Sequence, residues 1–147
     1  MTLPGLLPCG ALLRSMPILV VSFAALMASG PATAAKQVSE TCSGGGQLCN
    51  NIATFSINVS GAGGPRQGKF TPGPLTCSNV RLHVLLDGTE IAVTPFVGPG
   101  QTTGFISLGF IGPGTHTLGL QAEGEGGGCN VGNLVSWAGT VKMKLGP

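Results

Sequence analysis

Apolar and polar residues alternate along most of this chain. Ala53, Phe55, Ile57 and Val59 alternate with Thr54, Ser56 and Asn58, and Val80, Leu82, Val84 and Leu86 alternate with Arg81 and His83. A period of two marks a strand with one face in a core. Asp87-Gly88 follows the second run. Asp-Gly between alternating runs predicts a tight hairpin, because both central turn residues take positive φ. The returning arm covers residues 90–97, and Pro95 within it marks an edge strand or an early end. Residues 102–111 form the next run, and a Pro113-Gly114 turn leads into His116, Leu118, Leu120 and Ala122. In the last run, 134–145, Val141, Met143 and Leu145 face one way and Lys142 and Lys144 the other. A short strand over 36–41 brings the expectation to about seven. Residues 60–79 and 124–133 read as long glycine-rich loops. The pattern predicts an all-β fold, two packed antiparallel sheets rather than a closed barrel.

One apolar segment does not alternate. Met16 to Ala28 is almost wholly apolar, Arg14 is the only charge before Lys36, Gly30-Pro31 breaks the run, and Ala32-Thr33-Ala34 follows. Basic flank, apolar stretch and small-residue site are the three parts of a secretory signal peptide. The run is short of the roughly 20 residues a spanning helix needs. The expectation is a helical signal peptide over 1–34, cut between Ala34 and Ala35, and a single β-sandwich domain over 35–147. Met16 is an alternative start, and retention as an anchor is the alternative to cleavage. The expected location is secreted or periplasmic.

Loss of Arg14 leaves six of the seven Lys and Arg against five Asp and Glu. That balance excludes a basic surface for nucleic acid, and no membrane span is expected after cleavage. Glycine is abundant, at 26 residues, without a Gly-X-Y period; it clusters between apolar runs, where turns need it.

The segment 80–145 resembles a bacterial secreted immunoglobulin-like or fibronectin-type sandwich module. The residues that carry the likeness are Val84-Leu85-Leu86-Asp87-Gly88-Thr89-Glu90 and the stretch from Leu108 to Ala122. The second stretch is similar to the corner between the fifth and sixth strands, where a tyrosine often bonds back to the backbone. This chain has no tyrosine, and His116 stands near that position. A jelly-roll sandwich would show similar runs. Four cysteines remain after cleavage of Cys9, and they allow three pairings. The immunoglobulin-like strand order implies Cys42–Cys49 at one end of the sandwich and Cys77–Cys129 at the other.

Catalytic chemistry is thin. Asp87 is explained by its turn, and neither His83 nor His116 has a serine beside it in a nucleophile setting. Glu123 and Glu125 lie in a glycine run and read as solvated loop acids. There is no Cys-x-x-Cys pair and no histidine near a cysteine, so neither metal nor cofactor is expected. Trp137 reads chiefly as a packing residue. With Arg66 and Lys69 of the long loop, it makes the best candidate binding surface. The functional expectation is an exported, disulfide-stabilised, non-catalytic module with a structural or binding role. Its partner would be an extracellular or envelope protein or glycan. The alternative is a small secreted hydrolase or inhibitor-like domain with a site built from loops.

Overall fold

A computed structural model describes residues 33–128 and 130–144. The expected signal peptide, apart from its last two residues, lies outside the described residues. Among the described residues eight strands form: β1 (Thr33–Thr41), β2 (Ala53–Val59), β3 (Gly64–Pro72), β4 (Val80–Leu86), β5 (Thr89–Val93), β6 (Ile106–Ile111), β7 (Gly114–Gly124) and β8 (Ser136–Lys144). They make two four-stranded antiparallel sheets, sheet A in the order β1-β8-β3-β6 and sheet B in the order β2-β7-β4-β5. Among the described residues no helix is long and apolar enough to cross a membrane.

The all-β, two-sheet sandwich is the expected class, with eight strands where about seven were anticipated. The strand order differs from the immunoglobulin one, in which the first two strands pair within one sheet. Here β1 pairs with β8, β2 with β7, β3 with β6 and β4 with β5. This nesting is a long hairpin rolled onto itself, the jelly-roll arrangement.

Alternation puts the core where the sequence placed it. Ile57, Val59, Val80, Leu82, Val84, Leu118, Leu120 and Ala122 of sheet B meet Phe70, Leu108, Trp137, Val141 and Met143 of sheet A, all buried. Phe70 and Trp137 meet edge to face, centroids 6.1 Å apart. Asp87 and Gly88 take φ of +50° and +85°, the hairpin turn the Asp-Gly pair predicts. β5 is an edge strand of its sheet and ends at Val93, before Pro95.

The eighth strand, β3, lies in the segment expected to be a loop. Its inward residues are Gly64, Arg66, Gly68, Phe70 and Pro72, all buried. Only one of them, Phe70, is a large hydrophobe, so no apolar alternation shows. Glycine fits because the neighbouring strand β6 crowds this position: a Cβ on Gly68 would sit 3.3 Å from a Leu108 methyl.

This strand also moves the disulfide geometry. Cys42 and Cys49 are bridged, with Cα atoms 4.9 Å apart. Leu134 N donates to Gly46 O, Gly124 N to Gln47 O, and Ser78 Oγ to Gly127 O. The β1–β2, β3–β4 and β7–β8 connections therefore meet at one end of the sandwich, not at opposite ends as expected. Cys77 is disulfide-bonded; its expected partner, Cys129, lies outside the described residues.

Candidate functional site

The two outer faces differ in chemistry. On sheet B, Arg81 and His83 point outward between the buried Val80, Leu82 and Val84. The register sets Arg81 opposite Glu123 of β7 and His83 opposite Gln121. Arg81 donates from Nε and Nη2 to Glu123 Oε2, both at 2.7 Å, and His83 Nε2 lies 2.8 Å from the same oxygen. His83 Nδ1 lies 2.6 Å from Glu90 Oε2. The Arg81 guanidinium covers the Phe96 ring at 4.6 Å. Burial disfavours the charged form of Glu123. Hydrogen bonds from His83 and Arg81 outweigh it and hold the carboxyl below the ordinary glutamate range. Glu123 is thus a strand residue in an ion-pair network, which corrects its reading as a solvated loop acid.

A second pair sits at the hairpin end. Asp87 Oδ2 lies 2.8 Å from His116 Nδ1, and Thr117 N donates to Asp87 Oδ1 at 2.8 Å. His116 Nε2 lies 3.2 Å from Gly112 O. A carboxylate and a carbonyl only accept, so the geometry uses both ring nitrogens as donors, the imidazolium form. His116 hooks back to the backbone four residues upstream, the job a corner tyrosine does in other sandwiches. The hydrogen bond to Asp87 raises the His116 pKa against a smaller opposing effect of burial, and the same bond lowers that of Asp87.

These shifts fix a pH dependence. The stability His116 contributes is complete below the ordinary histidine value of about 6.5. It is lost as pH rises through the higher value the folded protein holds. Asp87 contributes above the ordinary aspartate value of about 3.9 and loses its contribution as pH falls through its lowered one. The melting-temperature gap between wild type and His116→Gln is therefore expected to be widest between these limits and to shrink above neutrality. A gap that stays constant to pH 9 would reject the clamp.

Among the described residues no group of three or more His, Cys, Asp or Glu side chains could hold a metal ion. The acid-base residues of sheet B are instead bound to one another.

The outer face of sheet A is built differently. Its β8 residues are Ser136, Ala138, Thr140, Lys142 and Lys144, alternating with buried Trp137, Val141 and Met143. The register places Gln37, Ser39 and Thr41 of β1 on one side of β8 and Gln67, Lys69 and Thr71 of β3 on the other. The segment 73–78 then lies along β8: Gly73 N donates to Ala138 O at 2.9 Å, as does Thr76 Oγ1 at 3.4 Å. Between it and β1 runs an open groove of about 830 Å³, lined by Ser39, Thr71, Thr76, Ser136 and Thr140 among others. Beyond Thr140 stand the three lysines. Lys69 and Lys142 are directly opposed in register. The ammonium groups of Lys69 and Lys144 lie 5.1 and 4.2 Å from the centroid of the Phe105 ring.

Of the candidate surface residues, only Lys69 is placed here with an outward side chain. Arg66 is 2% and Trp137 3% exposed, both between the sheets. Arg66 corrects the sequence reading because the segment taken as a loop is a strand and position 66 has its inward parity, whereas Trp137 packs in the core, its chief expected role. Lys142 and Lys144 already showed as an outward pair. Their company with Lys69 and Phe105 depends on β3 and β6 flanking each other, which no local pattern carries. No protein-family model matches this chain, and no curated protein is significantly similar to it.

Proposed function

We propose that this chain is an exported, disulfide-stabilised, non-catalytic module with a binding role, and that its working surface is the outer face of sheet A. One observation carries the reading. The acid-base groups of sheet B satisfy one another, while sheet A carries a groove of mixed apolar and hydroxyl lining with lysines beyond one end. Both histidines, the residues a loop-built hydrolase site would need, are engaged on both ring nitrogens by groups of the chain itself. That supports the binding reading over the hydrolase one. Turnover in a broad hydrolase screen, lost on His83→Gln or His116→Gln, would overturn it.

Export has its own test. The expected cut falls two residues into β1, a strand paired to β8 from Thr33 onward. After cleavage Ala35–Thr41 would remain to pair with Lys142–Ser136. Expression of the full chain in a bacterial host with a periplasm is expected to give a periplasmic protein whose N-terminal residue is Ala35. A cytoplasmic protein that retains residues 1–34 would reject the export reading.

A further inference from the structure

We infer that the outer face of sheet A binds a linear polysaccharide bearing carboxylates, its sugar hydroxyls in the groove and its acid groups on Lys69, Lys142 and Lys144. This rests on the working surface proposed above and names its ligand class.

The first argument is charge. The chain has four lysines, and three stand together on this face. β3, β6 and β8 contain no Asp or Glu, and the one acid of β1, Glu40, shares the inward parity of Val38 and borders the groove at the end away from the lysines. Lys69 and Lys142 are opposed across the strand pair, an arrangement that costs stability because like charges face each other. Lys144 adds a third charge two residues along the same face. Phe105 holds the ammonium groups of Lys69 and Lys144 over one ring and gathers the charge instead of dispersing it. An anion laid across the three would relieve that repulsion.

The second argument is the character of the neighbouring groove. Beside Glu40, Pro72, Ala138 and Trp137, its lining on β1, β3 and β8 includes hydroxyls and an amide: Gln37, Ser39, Thr41, Thr71, Ser136 and Thr140. Such groups donate and accept in turn, which suits sugar hydroxyls. The groove ends on β3 and β8 at Thr71 and Thr140, and Lys69 and Lys142 are the next outward residues of those strands, so one extended chain can meet both. A single-stranded nucleic acid fits less well: its bases stack on aromatic platforms, and the aromatic side chain lining this groove among the described residues, Trp137, is buried in the core. Of the arginines at described positions, Arg66 is buried and Arg81 lies on the other sheet. A carboxylate or a phosphate would therefore meet the lysine ammonium groups as point charges, and polyphosphate separates the two experimentally.

Affinity electrophoresis of the folded mature protein tests this, with polygalacturonate as the acidic polysaccharide and dextran as the neutral one. Polygalacturonate is expected to retard the wild type, with retardation falling as salt rises, and dextran is not. The triple variant K69Q/K142Q/K144Q is expected to bind roughly tenfold more weakly, from three exposed ion contacts. It should melt no lower than wild type, since the opposed lysine pair is gone. Ser39→Ile, which fills the groove on an exposed strand and changes no charge, is expected to weaken binding severalfold. Equal retardation of the triple variant overturns the inference, as does binding to phosphatidylglycerol vesicles or polyphosphate but not to polygalacturonate. Retardation by dextran that Ser39→Ile abolishes rejects the anionic ligand and leaves the working surface standing. No retardation by either polysaccharide rejects both.

Discussion

Phe70→Ala is expected to lower the free energy of unfolding by about 3–5 kcal/mol, the cost of a large aromatic lost from a core. Phe70 is 1% exposed and lies edge to face on Trp137. It also explains a glycine. A Cβ on Gly139 would come 2.5 Å from the Phe70 ring and 2.6 Å from Thr71 O. Gly139→Ala is therefore expected to destabilise by about 1–3 kcal/mol through overpacking. The two changes should couple. In a Phe70→Ala background the ring contact is gone while the Thr71 carbonyl stays, so the added methyl is partly relieved. Urea denaturation of the two single variants and the double variant measures this. Strict additivity, or a Phe70→Ala loss below about 1 kcal/mol, would show that the ring does not organise this part of the core.

Most of the sandwich was legible because its strands obey the period of two with apolar residues. β2, β4, β7 and β8 each bury Val, Ile, Leu or Met on one parity, and the Asp-Gly turn announced its hairpin. β3 was not legible, because the groups it turns inward are two glycines, an arginine, a phenylalanine and a proline. A strand facing crowded neighbours selects small residues, and small residues carry no hydropathy signal. The omission spread further than its nine residues. Successive strands run in opposite directions, so one missed strand reverses the end assigned to each later connection. Cys77 was therefore placed away from Cys42 and Cys49, whereas all three lie in connections at one end. The candidate site suffered likewise. Lys69 was read as a loop charge, and its meeting with Lys142 is a register fact that only the β3–β8 pairing creates. The histidines show the same limit. His83 lies near Asp87 in sequence, yet Asp87 binds His116, and His83 binds Glu90 and Glu123.

The remaining bridge should be the larger covalent contribution to stability. Non-reducing peptide mapping is expected to recover Cys77 joined to Cys129. The neighbours of Cys77 already meet that segment: Asn79 Nδ2 donates to Glu125 Oε2 at 2.6 Å, Glu125 N to Asn79 O at 2.9 Å, and Ser78 Oγ to Gly127 O at 3.1 Å. Those hydrogen bonds exist only in the folded protein, whereas a disulfide also restricts the unfolded chain, and the loop it would close spans about 50 residues. On the loop-entropy model that amounts to about 4 kcal/mol, against about 2–3 kcal/mol for the short Cys42–Cys49 loop. Guanidinium unfolding of C77S/C129S and C42S/C49S compares them directly. The first pair is expected to lose more stability even though Cys42–Cys49 packs the more deeply, with Cys49 fully buried and Cys77 exposed. Loop length would then outrank burial in setting what each bridge contributes. The reverse order would mean that the contacts around Cys49, including its backbone bond to Ala122 O, matter more than constraint of the unfolded chain.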